Sequence, residues 1–328
     1  MKTGQFCDVF GVEKPIVLAP MAGAVTPELV AAVSNAGGLG LAPLWRFDPT
    51  RLSDEVRKIQ SLTDKPFGVN LNMDFPNMAQ LEACLELKVP VISLFWHLKE
   101  EFVRVAKEGG AKVIYTAGSA AQAKAAVVLG VDAICAQGWE AGGHVRGTVG
   151  TMALVPAVAD AVGDVPVIAA GGIADGRGVA AAFALGASAA WIGTRFLAAE
   201  EAESHPEYLR HLFAATENDT YYAENLFNIH WEDAPHRVLR NSTVNAWEAA
   251  GKPPPGERPS EGEVVAQSPH AGDVLRYASK TPDVATQGNI EAISMWAGQS
   301  VGQVNRVQPA ADIVNELLVE ARQINLTI

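Results

Sequence analysis

The stretch Gln137–His144, QGWEAGGH, brings a glutamine amide, three glycines and one imidazole into a single short loop. An unperturbed imidazole titrates near pH 6.5, so His144 can take a proton at neutral pH or, when charged, hold an anion. A lone histidine is often structural. Placed directly after Gly142 and Gly143 and just past an apolar run, His144 is read here as the catalytic group, with His97 as a second candidate.

A second stretch, Val165–Phe196, reads as one βαβ unit. An apolar strand ends at Ala170, Gly171 and Gly172 make a bare turn, a helix follows, and a second strand runs through Trp191 and Ile192 to Gly193 and Thr194. Glycines past a strand let main-chain amides approach an anion with no Cβ in the way, and the following helix is expected to point its positive end at the same spot. A phosphate suits two such turns one βα unit apart. A tight turn that needs glycine for conformation alone is the other reading.

Other strand exits add packing and polarity rather than reactivity. Ala19, Pro20, Met21 and Ala22 offer a small apolar platform for a flat ring, with an ordinary tight turn as the alternative. Asn70 can donate to and accept from a heterocycle edge, and Thr116 closes the fifth apolar run. Lys112 stands at the start of its run, so no strand exit offers a lysine for a Schiff base. Glu140 and Asp175 read as loop or capping residues. The chain has no GxSxG elbow, no HExxH and no carboxylate cluster, and no metal is expected. A mouth this poor in reactive side chains suits a cofactor that brings its own chemistry, and flavin mononucleotide (FMN) fits, its phosphate on the glycine turns and its ring on the platform.

The elements that must position these groups follow from the apolar runs at 16–20, 39–44, 67–71, 91–95, 112–116, 133–136, 167–170 and 189–192. Near-continuous rather than alternating apolar strands indicate burial on both faces, as in a parallel sheet covered by helices. Thr26, Pro27 and Glu28 mark a helix start, and Gly37 and Gly38 its end. Eight such units, with no GxGxxG in the first, predict an α/β fold of the (β/α)8 TIM-barrel type with an inserted or appended subdomain after strand eight. Residues 1–204 and 275–328 are assigned to the barrel and its closing segment, and 205–274, which contains KPPPG and ERPSEG, to an insertion or lid.

The 328 residues carry a net charge of -12, with Lys and Arg scattered, which argues against a nucleic-acid surface. Three cysteines without metal spacing point to a reducing compartment. The first residues lack the apolar core of a signal peptide, and no run is long enough to span a membrane, so a cytoplasmic protein is expected; a homodimer stays open.

APMA (Ala19–Ala22), GVNL (Gly68–Leu71), QGWEAGGH, AAGGIADGRG (Ala169–Gly178), IGTRF (Ile192–Phe196) and WAGQ (Trp296–Gln299) together resemble the nitronate monooxygenase family over nearly the whole chain. That resemblance implies FMN-dependent oxidation of alkyl nitronates by dioxygen to a carbonyl compound and nitrite. It would make Asn70, Gln137, Gly142, Gly172 and Trp191–Thr194 flavin contacts, with Gln299 nearby, and His144 the base or the holder of the anionic substrate. Two departures bear on the substrate pocket: Val145 is an extra residue before Arg146 and Gly147, and Pro235–Thr243 lies outside the pattern. FMN-dependent enoyl-thioester and NAD(P)H:quinone reductases resemble the family and share its histidine loop. A non-redox barrel that binds a phosphorylated metabolite is a third reading.

Overall fold

The structure, a computed structural model, describes residues 3–270 and 272–324. Eight parallel strands form the central sheet: β1 (Ile16–Leu18), β2 (Gly40–Pro43), β3 (Phe67–Asn72), β4 (Val91–Phe95), β5 (Lys112–Ala117), β6 (Ala133–Gln137), β7 (Val167–Ala170) and β8 (Ala189–Ile192). The order is β1-β8-β7-β6-β5-β4-β3-β2. The sheet closes on itself where Val17 of β1 bridges Leu39, with Leu18 N donating to Leu39 O at 2.9 Å. The fold is therefore the expected α/β barrel. β1 stops two residues short of its expected end because the chain turns at Ala19–Pro20, and proline has no N–H for a ladder.

Side chains alternate along each strand, so each feeds two cores. Val17, Leu41, Val91, Ile114, Ala133, Cys135, Ile168, Ala170, Ala189 and Trp191 fill the barrel interior. Ile16, Leu18, Val69, Ile92, Ala136, Ala169 and Ile192 face the helices. A feature not expected from the sequence is the N-terminal helix Thr3–Phe10, whose Phe6 and Phe10 stack at 4.7 Å and join the interior cluster, closing the foot of the barrel.

The helix start at Thr26 is as expected: Thr26 Oγ1 accepts from Leu29 N at 2.9 Å ahead of helix Pro27–Asn35. The final helix, Ala310–Gln323, packs against helices Gly176–Ala184 and Pro27–Asn35. Between β8 and that helix lie helices Pro206–Ala214 and Ser242–Ala249 and two small antiparallel sheets. One sheet joins Thr220–Ala223 to His236–Leu239 and then to the two-residue strand Gly143–His144. The other has Val264–Ser268 at its centre, between Gly272–Leu275 and Gln287–Gly288. Among the described residues no helix is long and apolar enough to cross a membrane.

Candidate functional site

A cavity of about 680 Å3 opens at the C-terminal rim of the strands. Its volume lies in the range of small-molecule and cofactor sites. Ala19, Pro20, Met21, Ala22, Asn70, Thr116, Gln137, Gly142, Gly143, His144, Ala170, Gly171, Gly172, Trp191, Gly193 and Thr194 all line it. Ile192 and Gln299 do not. Ile192 follows Trp191, so strand alternation turns it outward into the helix-facing core, and its tie to the site is its carbonyl, which accepts from Ala19 N at 2.9 Å. Gln299 uses its main-chain N–H on Glu140 O at 2.9 Å, while its neighbours Gly298 and Ser300 reach the cavity wall.

The two glycine turns sit side by side because Ala170 pairs with Trp191 across β7 and β8. Gly171 and Gly172 adopt φ of +100° and +73°, where a side chain would be strained. Among the described residues the N–H groups of Gly171, Gly172 and Thr194 have no protein acceptor. The helix that follows does not contribute its positive end. Asp175 Oδ1 accepts from Arg177 N and Gly178 N, and Glu320 Oε2 accepts from Gly176 N, so carboxylates already fill that terminus. Glu140 likewise caps helix Thr151–Val162, accepting from Thr151 N at 2.9 and 3.0 Å. The anion cradle is therefore the pair of bare turns alone.

The polar groups around the ring position are partly committed. Asn70 Nδ2 donates to Ser93 Oγ at 3.2 Å and Ser93 O at 3.3 Å, which leaves Oδ1 as its group to offer. Gln137 Nε2 donates to His144 O at 3.1 Å and so ties the histidine loop to β6. Cys135 also lines the cavity, but burial pushes its thiol up to about 12, so it stays protonated and inert.

His144 is enclosed by aromatic rings. Trp231 stacks on it with centroids 3.8 Å apart, and Trp296 and Trp96 lie at 5.0 and 6.4 Å. Nε2 is 3.3 Å from Ser279 Oγ. Burial, then His236 and Arg46, hold its pKa well below the ordinary histidine value, so the ring is neutral at pH 7. A neutral imidazole can accept a proton or a hydrogen bond, but it brings no positive charge to an anion. With no anion present the positive charge on this side of the cavity is that of Arg46, whose field also lowers the His144 pKa. His97 lies outside this cavity, 3.1 Å from Asp74 Oδ1 in a separate cleft lined also by Trp96, Arg146 and Trp231.

Residues remote in sequence complete the site. His236 pairs with His144 in the small sheet and is fully buried; its Nδ1 lies 2.8 Å from Ala234 O and its Nε2 accepts from Phe227 N at 3.0 Å, which fixes one neutral tautomer. Arg237 donates to Trp139 O at 2.9 Å and clamps the QGWEAGGH loop. Thus the Pro235–Thr243 segment, outside the sequence pattern, braces the histidine loop without lining the cavity, and the extra Val145 is buried where its N–H meets Pro235 O at 2.8 Å. Trp231, Ser279 and Lys280 gave no local sign. Trp45 and Arg46 stand at the exit of β2, where the strand-end reasoning used elsewhere would have found them.

The nitronate monooxygenase family model matches residues 5–81 and 75–320. Among curated relatives, (3aS,4S,5R,7aS)-5-hydroxy-7a-methyl-1-oxo-octahydro-1H-indene-4-carboxyl-CoA dehydrogenase of Rhodococcus jostii (strain RHA1) is 39% identical over 74% of this chain and 67% of its own. Nitronate monooxygenase of Pseudomonas aeruginosa is 31% identical over 98% of this chain and 99% of its own. Among solved structures, FabK from Thermotoga maritima has a TM-score of 0.79 at 33% identity, covering 97% of this chain and 96% of that one. Nitroalkane oxidase from Streptomyces ansochromogenes has a TM-score of 0.79 at 29% identity, covering 97% and 99%. These relatives vary in activity, and together with the family they support an oxidoreductase. With the family model spanning nearly the whole barrel and its closing segment, the chain belongs to the nitronate monooxygenase family.

Proposed function

We propose that this protein is an FMN-dependent oxidoreductase that converts alkyl nitronates, and nitroalkanes after proton loss, into a carbonyl compound and nitrite with dioxygen as oxidant. The observation that carries the reading is the pair of glycine turns, Gly171–Gly172 and Gly193–Thr194, opening into one cavity with main-chain amides that have no protein acceptor among the described residues. Their fit to a phosphate is supported by chemistry as well as space, since Glu140 and Asp175, the nearby carboxylates, are committed to helix caps.

FMN, when bound, would supply the electron acceptor that no side chain here provides. The protein's part is orientation and dryness. Gly171, Gly172 and Thr194 would bind the phosphate through their N–H groups. Ala19–Ala22 and Gly142–Gly143 would flank the ring, and Asn70 Oδ1 and Gln137 would meet its polar edge. Trp231 and Trp296 pack against the His144 ring and hold it in place. A nitronate is already a carbanion equivalent and asks only for a hydrogen bond from the His144 side; a neutral nitroalkane must lose a proton, and His144 is the group placed to accept it. An approaching anion would also raise the basicity that burial suppresses. Partners in this reading are a small nitronate and dioxygen, with neither nucleic acid nor membrane.

A second reading, an FMN-dependent NAD(P)H reductase of quinones or enoyl thioesters, is favoured by one feature: cations gathered at the cavity mouth, more than a small nitronate requires. An absorption spectrum of the purified protein tests the flavin, and anaerobic mixing separates the two reactions. Bleaching by a nitronate but not by NADH supports the first; fast bleaching by NADH alone overturns it in favour of the second.

A further inference from the structure

The cavity has a charged region that the glycine turns do not account for. Arg46 and Arg51, following β2, and Lys280, from the segment returning over the barrel, stand together at its mouth. Among the described residues none of the three makes an ion pair. Carboxylates outnumber cations 37 to 25 in this chain, yet none among the described residues pairs with these three. The carboxylate nearest Lys280, Asp283, is committed to Ser268 Oγ, Ala285 N and Thr286 Oγ1 at 3.0 Å each. Elsewhere on the mouth Glu28 is paired with Lys58 at 2.7 Å, while Glu55 and Glu203 stand on that same Lys58 side.

The cations are also presented for binding. Arg46 Cζ lies 4.3 Å over the Trp45 ring and Arg51 Cζ 4.0 Å over Phe47. A guanidinium laid on an aromatic face is held in orientation while its N–H edge stays free to grip an oxyanion at two points. Arg46 uses one N–H on Ser279 O at 3.4 Å and is otherwise exposed at the cavity. Lys280 has its pKa lowered by burial and then by Arg46 and Arg51, which places the three charges within each other's field. Like charges drawn together repel, and an anion between them relieves the repulsion.

We propose that Arg46, Arg51 and Lys280 form a second anion subsite that receives the phosphate or pyrophosphate of a reactant whose other end reaches the ring position beside His144. Ser279 sets the spacing, since its carbonyl accepts from Arg46 and its hydroxyl lies 3.3 Å from His144 Nε2. The reactant is an organophosphate, and two sources share that chemistry: a nucleotide-linked thioester and a nicotinamide dinucleotide. The inference rests on the proposed flavin site only for where the reactant's far end lies.

The test titrates the FMN-loaded protein with inorganic pyrophosphate, coenzyme A and NADPH by calorimetry, as wild type, as Arg46→Gln/Lys280→Gln and as Arg46→Lys. Circular dichroism and flavin absorbance report retention of the fold. Pyrophosphate binding is expected to weaken about 10-fold or more in the double variant, less in Arg46→Lys, and to fall with added salt. Coenzyme A following the same pattern identifies the thioester source, NADPH the dinucleotide source. Equal pyrophosphate affinity in wild type and double variant, or no binding of any of the three probes to wild type, overturns the subsite. A colourless protein that still binds pyrophosphate through Arg46 and Lys280 refutes the flavin reading and leaves the subsite standing.

Discussion

Trp231 lies face to face with His144, ring centroids 3.8 Å apart at 33°, and its indole Nε1 donates to Asp74 Oδ2 at 2.7 Å. One side of Trp231 lines the cavity and the other the outer cleft that holds Asp74, Trp96, His97 and Arg146. The ring is thus a partition, pinned from outside, between His144 and the outer cleft.

Removing the partition should change the titration of His144. In Trp231→Ala, water from the outer cleft reaches the imidazole, the desolvation that dominates its depressed pKa is relieved, and the value rises toward 6.5. A histidine-resolved NMR titration reads this directly. No movement between wild type and variant would show that some other group keeps the ring dry.

The proton-accepting role of His144 predicts a split between substrates. His144→Gln is expected to retain FMN and to lose activity with neutral nitroalkanes by about 100-fold, with a much smaller loss for the corresponding nitronates. Equal losses with both would assign His144 to binding instead.

His236 makes stability depend on pH. Its pKa is lowered by burial to about 4, below the ordinary 6.5, so the unfolded chain binds a proton between these values that the folded chain refuses. The contribution is fully present above pH 6.5 and is lost as pH falls toward 4, amounting to about 3 kcal/mol over that window. Urea unfolding at pH 7 and pH 5 should show this slope in wild type and a shallower one in His236→Gln. A parallel slope in the variant would locate the dependence elsewhere.

Two alanine substitutions separate conformation from ligand contact. Gly171 and Gly130 both have left-handed φ, +100° and +88°, but a Cβ at Gly171 would lie 3.0 Å from Gly138 O beside the cradle, while Gly130 has nothing within 4 Å. Each alanine should cost about 1–2 kcal/mol of strain. The ratio of bound FMN to protein should fall in Gly171→Ala alone. Asp175→Ala should lower the melting temperature through the lost cap, about 1 kcal/mol, and leave the FMN ratio unchanged, because that helix end does not face the phosphate. FMN loss in Asp175→Ala would return the helix terminus to the site.

What the sequence made legible is local. The strands, the Thr26 cap and the two glycine turns each depend on a few adjacent residues, and all three are where the pattern put them. Trp191 and Ile192 are adjacent on one strand, so only the Trp191 side chain faces the barrel interior and Ile192 meets the site through its main chain. Asp175, a capping residue by its sequence position, closes the helix after Gly172, because a cap uses the very N–H groups an anion would need. Trp231, His236, Arg237 and Lys280 reach the site through the return of the chain after β8, and nothing near them in sequence announces the neighbour they meet.

Phe6 and Phe10 cork the foot of the barrel, and that has a bearing on traffic. With the bottom stopped, a donor and an acceptor of electrons that must visit the same ring enter and leave by one doorway. If the proposed flavin sits there, the two are expected to take turns, the spent donor departing before the acceptor comes in. Steady-state rates measured against both reactants would then give parallel lines in a double-reciprocal plot, whereas intersecting lines would mean both can be inside together.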